Sequence, residues 1–258
     1  MYLEKNISDK IYWHKYIDFY ENLLPKTLNC IVEIGVFNGD SIRYWRNKYP
    51  LSNIYGIDII EAKPTWPNDE KIKYFQINQG NILKYKESLK SINKKIDLII
   101  DDGSHDPLHQ KITLIESLDF LKENSIYILE DIHTSHPNHP VYKNKVIEFN
   151  KNLSFFDKKE KNILMSLQCL LFIDYIKTNN LDFEKSASTI NFKNSLFTKK
   201  EMSDLYKKVK KINIYKRTVL PNYCYSCNKT DFDFINLKCS CGTELYSECD
   251  SMSVLINF

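Results

Sequence analysis

Short apolar runs alternate along this chain with longer amphipathic stretches, and no other feature constrains the fold as strongly. Such alternation is typical of right-handed βαβ units, which place parallel strands in one sheet. It therefore predicts an α/β fold. The predicted strands are residues 30–36, 53–59, 72–77, 96–100, 125–129, 212–219 and 251–258. The predicted helices are residues 39–49, 83–92, 107–121, 143–152 and 158–178.

Composition limits the class of protein. The chain has 258 residues, of which 43% are apolar, enough for one large α/β domain or a domain with a small appendage. The net charge is only +3, and the lysines form no dense basic block, so a nucleic-acid partner is not expected. No signal-peptide pattern opens the chain, and Leu167–Ile176, its longest apolar run, is too short to cross a bilayer. We expect a cytoplasmic protein that does not associate with membranes.

Pairs of acidic residues end two of the predicted strands. Asp101 and Asp102 end one strand, and Glu130 and Asp131 end the next. The carboxyl ends of parallel strands meet at one edge of a sheet, where carboxylates suit an oxygen-preferring cation. His105 would face the same crevice and adds an imidazole that can exchange a proton, so the pattern indicates chemistry on a hydroxyl. The alternative is that the acids cap helices and that His105 is structural.

A turn between two glycines, Gly35 and Gly39, follows the first predicted strand. Asp58 ends the second strand roughly twenty residues later, where an acid can bind ribose hydroxyls. The loop lacks the second glycine of the dinucleotide fingerprint, and the chain has no phosphate-binding GKS or GKT motif. These features favour an adenosine-type cofactor without a pyrophosphate and disfavour a nicotinamide oxidoreductase. A glycine turn required only for steric reasons is the alternative.

Four of the seven cysteines form two closely spaced pairs near the end of the sequence. Cys224 and Cys227 are separated by two residues, and Cys239 and Cys241 by one. Four thiolates in two pairs suit a structural Zn²⁺ ion, with Cys249 as a substitute ligand. The alternative is a reduced hairpin without metal.

The chain contains five motifs in this order: EIGVFNGDS, YGIDI, QGN, IIDDGSH and ILEDIHTSH. In these motifs it resembles the S-adenosylmethionine-dependent, Mg²⁺-dependent sugar O-methyltransferases of macrolide tailoring and the cephalosporin hydroxylase-like proteins. The opening segment, with Asp9, Lys10, His14, Tyr16 and Tyr20, is similar to the DK…H.Y…Y lead-in of that family. The resemblance covers roughly residues 8–136 and resumes at the last strand. It implies a Rossmann-like class I methyltransferase fold, with a seven-stranded, mostly parallel sheet and helices on both faces.

The resemblance also implies the roles of individual residues. His105 would be the general base. The implied Mg²⁺ ligands are Asp102, Glu130 and Asp131. The implied S-adenosylmethionine contacts are Glu33, Gly35, Asn38, Gly39, Ser41, Asp58, Asp101 and Asn81, the last standing where relatives usually carry aspartate. The implied acceptor-pocket residues are His14, Tyr16, His133, Thr134 and His136.

Together these observations predict a methyltransferase that acts on a sugar hydroxyl of a nucleotide-linked, glycan or natural-product saccharide. Residues 1–29 would form a helical cap over the active site, residues 30–258 the methyltransferase domain, and residues 222–249 a Cys-rich insertion before the last strand. Because relatives often assemble into oligomers, a homo-oligomer is also expected. The alternatives are a methyltransferase for another small-molecule oxygen or nitrogen acceptor, and a non-catalytic zinc-binding module on the same fold.

Overall fold

The structure, a computed structural model, describes residues 8–152 and 162–258. The strands are β1 (Cys30–Ile34), β2 (Asn53–Asp58), β3 (Ile72–Gln76), β4 (Ile96–Asp101), β5 (Leu121–Leu129), β6 (Lys211–Lys216), β7 (Phe232–Asp233), β8 (Lys238–Cys239) and β9 (Met252–Asn257). The helices are α1 (Asp9–Tyr12), α2 (Tyr16–Glu21), α3 (Asp40–Lys48), α4 (Ile82–Ile92), α5 (Pro107–Ser117), α6 (Pro140–Lys151), α7 (Ser166–Thr178), α8 (Phe183–Ala187) and α9 (Lys199–Lys208). Short 3₁₀ turns lie at Ile132–Ser135 and Phe192–Asn194.

Seven strands form the main sheet in the order β3-β2-β1-β4-β5-β9-β6. Strands β1 to β5 pair in parallel, whereas β9 runs antiparallel to both β5 and β6. This arrangement confirms the predicted Rossmann-like methyltransferase sheet. The strand order reverses between β1 and β4, which is where open α/β sheets bind their ligands.

Helices cover both faces of the sheet, because successive side chains of each buried strand point to opposite sides. In β1, Val32 and Ile34 join a core built with α4, α5, α7 and α9. Ile31 of the same strand joins the opposite core, which includes Tyr20 of α2 and Trp45 of α3. The central strands β1 and β4 are therefore buried throughout and can hold their carboxyl ends rigidly.

Several boundaries differ from the sequence-based expectation; for example, the helix predicted for residues 143–152 begins at Pro140, and the strand predicted for residues 212–219 ends at Lys216. The helix predicted for residues 107–121 ends at Ser117, because Leu121 already pairs with Ile96 at the start of β5. Part of the helix predicted for residues 158–178 lies outside the described residues, and α7 begins at Ser166.

Helix α9 was not predicted, although the sequence carries a signal for it. The side chain of Thr198 accepts a hydrogen bond from the backbone N–H of Glu201, and the Glu201 carboxylate accepts one from the N–H of Thr198. This capping box is readable from the spacing of the two residues. Within residues 8–152 and 162–258, no helix is long and apolar enough to cross a membrane.

Candidate active site

The ends of β1 and β4 lie unusually close together. Gly35 has φ 87°, and a Cβ atom there would lie 2.0 Å from the carbonyl oxygen of Asp102. The backbone N–H of Asp102 donates to the carbonyl of Ile34 at 2.9 Å. Only glycine permits this approach, which brings the glycine turn and the acidic residues to one place.

Asp102, His105 and Asp131 form the centre of the site. One potential ligand atom from each lies within 4.8 Å of those of the other two. The Nε2 atom of His105 is 3.5 Å from Oδ2 of Asp131. His105 has φ 54° and Asp131 has φ 50°, left-handed conformations that are uncommon outside glycine and often occur at functional sites. These two bends bring side chains from separate loops together.

Aromatic and imidazole groups surround the Asp131 carboxylate. The hydroxyl of Tyr16 donates to Oδ1 at 2.6 Å, and Nδ1 of His14 and of His133 lie 3.9 and 3.8 Å from the same oxygen. Burial alone would raise the pKa of Asp131, but the imidazoles of His14, His105 and His133 hold it well below its usual range. Asp131 is therefore ionised at neutral pH.

Lys10 occupies a position that the sequence did not predict. Its side chain is 2% exposed, and its ammonium contacts the Asp102 carboxylate and lies 2.5 Å from Glu130 and 3.8 Å from Glu33. Burial opposes the charge, but these acids hold the pKa of Lys10 well above its usual range. The sequence placed Lys10 in the lead-in motif and in the predicted N-terminal cap over the acceptor pocket, but nothing in that motif identifies partners 92 and 120 residues away.

Glu130 faces this ammonium, and it is not among the residues that group around His105. Its carboxylate is 1% exposed. Its role as a third Mg²⁺ ligand stays a prediction, and in this conformation that role would require the Lys10 ammonium to move aside.

A cavity of about 660 Å³ opens at the carboxyl end of the sheet, within the size range of small-molecule sites. A smaller cavity of about 440 Å³ adjoins it, and the two share Asp9, Gly35, Phe37, Asp102 and Tyr225. The larger cavity is lined by Asp9, Trp13, His14, Ile34, Gly35, Phe37, Ile57, Asp58, Ile59, Ile60, Ile77, Asn78, Gln79, Asp102, Gly103, Ser104, His105, His109, Glu130, Asp131 and Tyr225. It therefore joins the acidic centre to the ends of β1, β2 and β3.

Several predicted cofactor contacts line these cavities. Gly35 and Asp58 border the larger one, and Asn38 and Ser41 border the smaller one. The Asp58 carboxylate accepts the backbone N–H groups of Val36 and Phe37 at 2.7 and 3.0 Å, so it also fixes the turn.

Other predicted cofactor contacts have structural partners instead. Asn81 accepts a hydrogen bond from the N–H of Lys84 at 3.2 Å and caps α4. Gly39 occupies the N-cap of α3. Asp101 is buried and accepts hydrogen bonds from Tyr127 and Thr113. None of these three predicted contacts lines either cavity.

Among the predicted acceptor residues, His14 lines the larger cavity, while Tyr16 and His133 lie behind it against Asp131. Thr134 is buried, and the His136 ring accepts the backbone N–H of Asn138 at 3.2 Å. Sequence reasoning did not assign Trp13, Asn78, Gln79 and Tyr225 to the site, although all four line the cavity.

Burial raises the pKa of Glu33, a predicted cofactor residue, to about 7. The neighbouring Lys10 ammonium opposes this shift only in part. The folded protein thus holds this proton more tightly than the unfolded chain, so stability falls as pH rises from 4.5 towards 7. We expect Glu33→Gln to stabilise the ligand-free protein by roughly 1–3 kcal/mol at pH 8 and to have little effect near pH 4. Urea denaturation at both pH values measures this, and an equal effect at the two would contradict it.

The four predicted zinc ligands meet at a separate site. The Sγ atoms of Cys224 and Cys241 are 3.5 Å apart, as are those of Cys227 and Cys239, and all four lie within 4.8 Å of one another. Tetrahedral zinc with Zn–S bonds of about 2.3 Å requires sulfur separations of roughly 3.8 Å. The cluster can therefore hold a zinc ion without Cys249, whose Sγ lies 3.7 Å from the hydroxyl of Ser247.

The chain is similar in sequence to known sugar O-methyltransferases. No protein-family model matches the chain. It is similar to mycinamicin VI 2''-O-methyltransferase of Micromonospora griseorubida, with 26% identity over 41% of this chain and 28% of that protein. It is also similar to 8-demethyl-8-alpha-L-rhamnosyl tetracenomycin-C 2'-O-methyltransferase of Streptomyces olivaceus, with 27% identity over 50% of this chain and 36% of that protein. The names of these relatives confirm the resemblance to sugar O-methyltransferases.

The matched region is about a third of the length of these curated relatives. A solved structure similar to the chain is the MycE methyltransferase from the mycinamycin biosynthetic pathway, in complex with Mg, SAH and mycinamycin VI. The TM-score is 0.42, at 21% identity over 54% of this chain and 42% of that one.

Proposed function

We propose that the protein is an S-adenosylmethionine-dependent, Mg²⁺-assisted O-methyltransferase that acts on a hydroxyl of a saccharide, either nucleotide-linked or part of a glycan or natural product. The observation that carries the proposal is the meeting of Asp102, His105 and Asp131 in the cavity that also contains the glycine turn and Asp58. The names of the curated relatives support the sugar acceptor.

The donor set of the acidic centre fits Mg²⁺. Magnesium prefers oxygen ligands, so the carboxylates of Asp102 and Asp131 would hold it, with Glu130 as the further predicted ligand. The imidazole of His105 would remain free for proton transfer. The apolar side chains of Ile59, Ile60 and Ile77, in the same cavity as Asp58, suit a nucleoside.

When bound, S-adenosylmethionine would supply the methyl group, and Mg²⁺ would stabilise negative charge developing on the acceptor oxygen. His105 would take the proton of the acceptor hydroxyl. Its Nε2 faces Asp131 at 3.5 Å, whereas its Nδ1 is buried and makes no hydrogen bond to any described residue. The ionised Asp131 would stabilise the imidazolium that forms, and the backbone bend at His105 would hold the ring in position.

Labelled S-adenosylmethionine, Mg²⁺ and a panel of nucleotide sugars and methyl glycosides test the proposal. We expect methyl transfer to at least one saccharide and loss of that transfer when a chelator removes Mg²⁺, with recovery when the ion is restored. Transfer only to amines or to non-sugar hydroxyls would contradict the saccharide acceptor. Binding of S-adenosylmethionine without transfer to any acceptor would favour the non-catalytic alternative.

A further inference from the structure

Residues 218–250, here called the cysteine module, lie between β6 and β9 and contact the N-terminal segment that contains α1 and α2. We propose that the metal-loaded cysteine module forms one wall of the acceptor site, where the exposed ring of Tyr225, supported by the buried Trp13, packs against the apolar face of a pyranose ring. This inference rests on the proposed function, because it takes the acceptor to be a saccharide.

Tyr225 links the cysteine cluster to the cavity. It lies between Cys224 and Cys227 in the sequence, so two ligand residues fix its backbone. Its side chain is 53% exposed, although it lines the cavity that contains Asp102. An aromatic ring left exposed at a cavity wall is available to a ligand.

Trp13 supports Tyr225 from behind and is itself held by the module, since its side chain is only 8% exposed. Its ring centroid is 5.9 Å from that of Tyr225, and the ring packs against Cys224, Cys239 and Leu245. The buried guanidinium of Arg217 lies 4.8 Å from the Trp13 ring and donates to its backbone carbonyl at 2.8 Å. The position of Trp13 therefore depends on the fold of the module.

That fold has few other sources of stability. Strands β7 and β8 contain two residues each, and the side chains of Phe234 and Ile235 are 71% and 93% exposed. A segment with so small a core is typically ordered by a bound metal ion. Zinc in the four-cysteine site would thus order Tyr225 and Trp13 as well.

A saccharide fits this wall for chemical reasons. The face of a pyranose carries polarised C–H groups, which are attracted to the negative face of an aromatic ring, while its hydroxyls point outwards at the edge. Trp13 and Tyr225 line the same cavity as Asp102, His105 and Asp131. A pyranose packed on the Tyr225 ring can therefore present an edge hydroxyl to the acidic centre.

The first test compares Tyr225→Ala with Phe234→Ala, a matched control in the same module whose ring lines neither cavity. Saturation-transfer NMR and calorimetry measure the binding of the nucleotide sugars and methyl glycosides with Mg²⁺ and S-adenosylhomocysteine present. We expect Tyr225→Ala to weaken saccharide binding about tenfold or more, with S-adenosylmethionine affinity within about threefold of wild type. Tyr225→Phe and Phe234→Ala should bind like wild type.

The second test removes the metal. Wild type should contain zinc, and Cys241→Ser should lose it, change the fluorescence of Trp13 and weaken saccharide binding as Tyr225→Ala does. Trp13→Phe identifies the part of the fluorescence change that arises from Trp13. If Cys241→Ser fails to fold, the comparison of Tyr225→Ala with Phe234→Ala still shows whether Tyr225 binds the saccharide.

Four results would overturn the inference. Weaker S-adenosylmethionine binding with unchanged saccharide binding in Tyr225→Ala would show that Tyr225 covers the cofactor instead. Equal saccharide binding by wild type and Tyr225→Ala would contradict this inference but not the proposed function. Wild-type protein without zinc and with four freely reactive thiols would do the same. Failure of wild type to bind any saccharide would contradict the proposed function as well.

Discussion

Replacing His105 by alanine is expected to lower turnover about 10²- to 10⁴-fold, the usual contribution of a general base, while leaving the affinity for S-adenosylmethionine unchanged. The reason is geometric. The imidazole lies beside the Asp131 carboxylate, at 3.5 Å between Nε2 and Oδ2, and lines the large cavity. Single-turnover measurements with the best acceptor of the panel, together with calorimetry for the cofactor, separate the two effects.

His109→Ala is the matched control, because His109 lines the same cavity but its Nδ1 pairs with the hydroxyl of Ser104 at 2.8 Å. We expect this variant to retain most of its turnover. Equal turnover in His105→Ala and wild type would remove His105 from the mechanism. A comparable loss in both histidine variants would indicate an effect on the cavity instead of on proton transfer.

Lys10→Met is expected to destabilise the metal-free protein by about 3–5 kcal/mol, the usual cost of removing one partner from a buried ion pair. The substitution leaves the carboxylates of Glu33, Asp102 and Glu130 without their shared cation. Excess Mg²⁺ should recover more stability in this variant than in wild type, because it can bind carboxylates that the ammonium no longer occupies. Urea denaturation with chelator and with Mg²⁺ measures both effects.

Lys15→Met serves as the control, since Lys15 belongs to the same segment but its ammonium binds the side-chain oxygen of Asn222 at 2.7 Å. Its stability should stay within roughly 0.5–1 kcal/mol of wild type. If Lys10→Met is as stable as wild type with chelator present, the ammonium is not needed to balance the buried acids. An equal response to Mg²⁺ in all three proteins would show that the metal does not use the freed carboxylates.

The sheet could be predicted because its determinants are local. Strands β1 and β4 are buried throughout and mostly apolar, and the acids at the ends of β4 and β5 had to meet at one edge once the strands were parallel. The site around Asp102, His105 and Asp131 follows from that arrangement. Helix α9 could also have been predicted from the capping box formed by Thr198 and Glu201.

What could not be predicted depends on contacts between distant parts of the chain. The pairing of Lys10 with Glu130 and the packing of Trp13 on Tyr225 join segments whose separation is set by the whole fold. Asp101 illustrates the same limit. The resemblance implied that Asp101 contacts the cofactor, and that role stays a prediction, but the hydrogen bonds it accepts from Tyr127 and Thr113 could not be predicted from the sequence.

The attachment of the cysteine module bears on how this fold can diversify. Lys216 pairs with Met252 in the β6–β9 ladder, and the N–H of Arg217 donates to the carbonyl of Ser251 at 3.0 Å, so both ends of residues 218–250 leave the sheet side by side. A short hairpin turn could bridge the same gap without shifting the register of either strand. Gain, loss or exchange of the module during evolution would then leave the seven-stranded sheet, and the acidic residues at its carboxyl edge, unchanged.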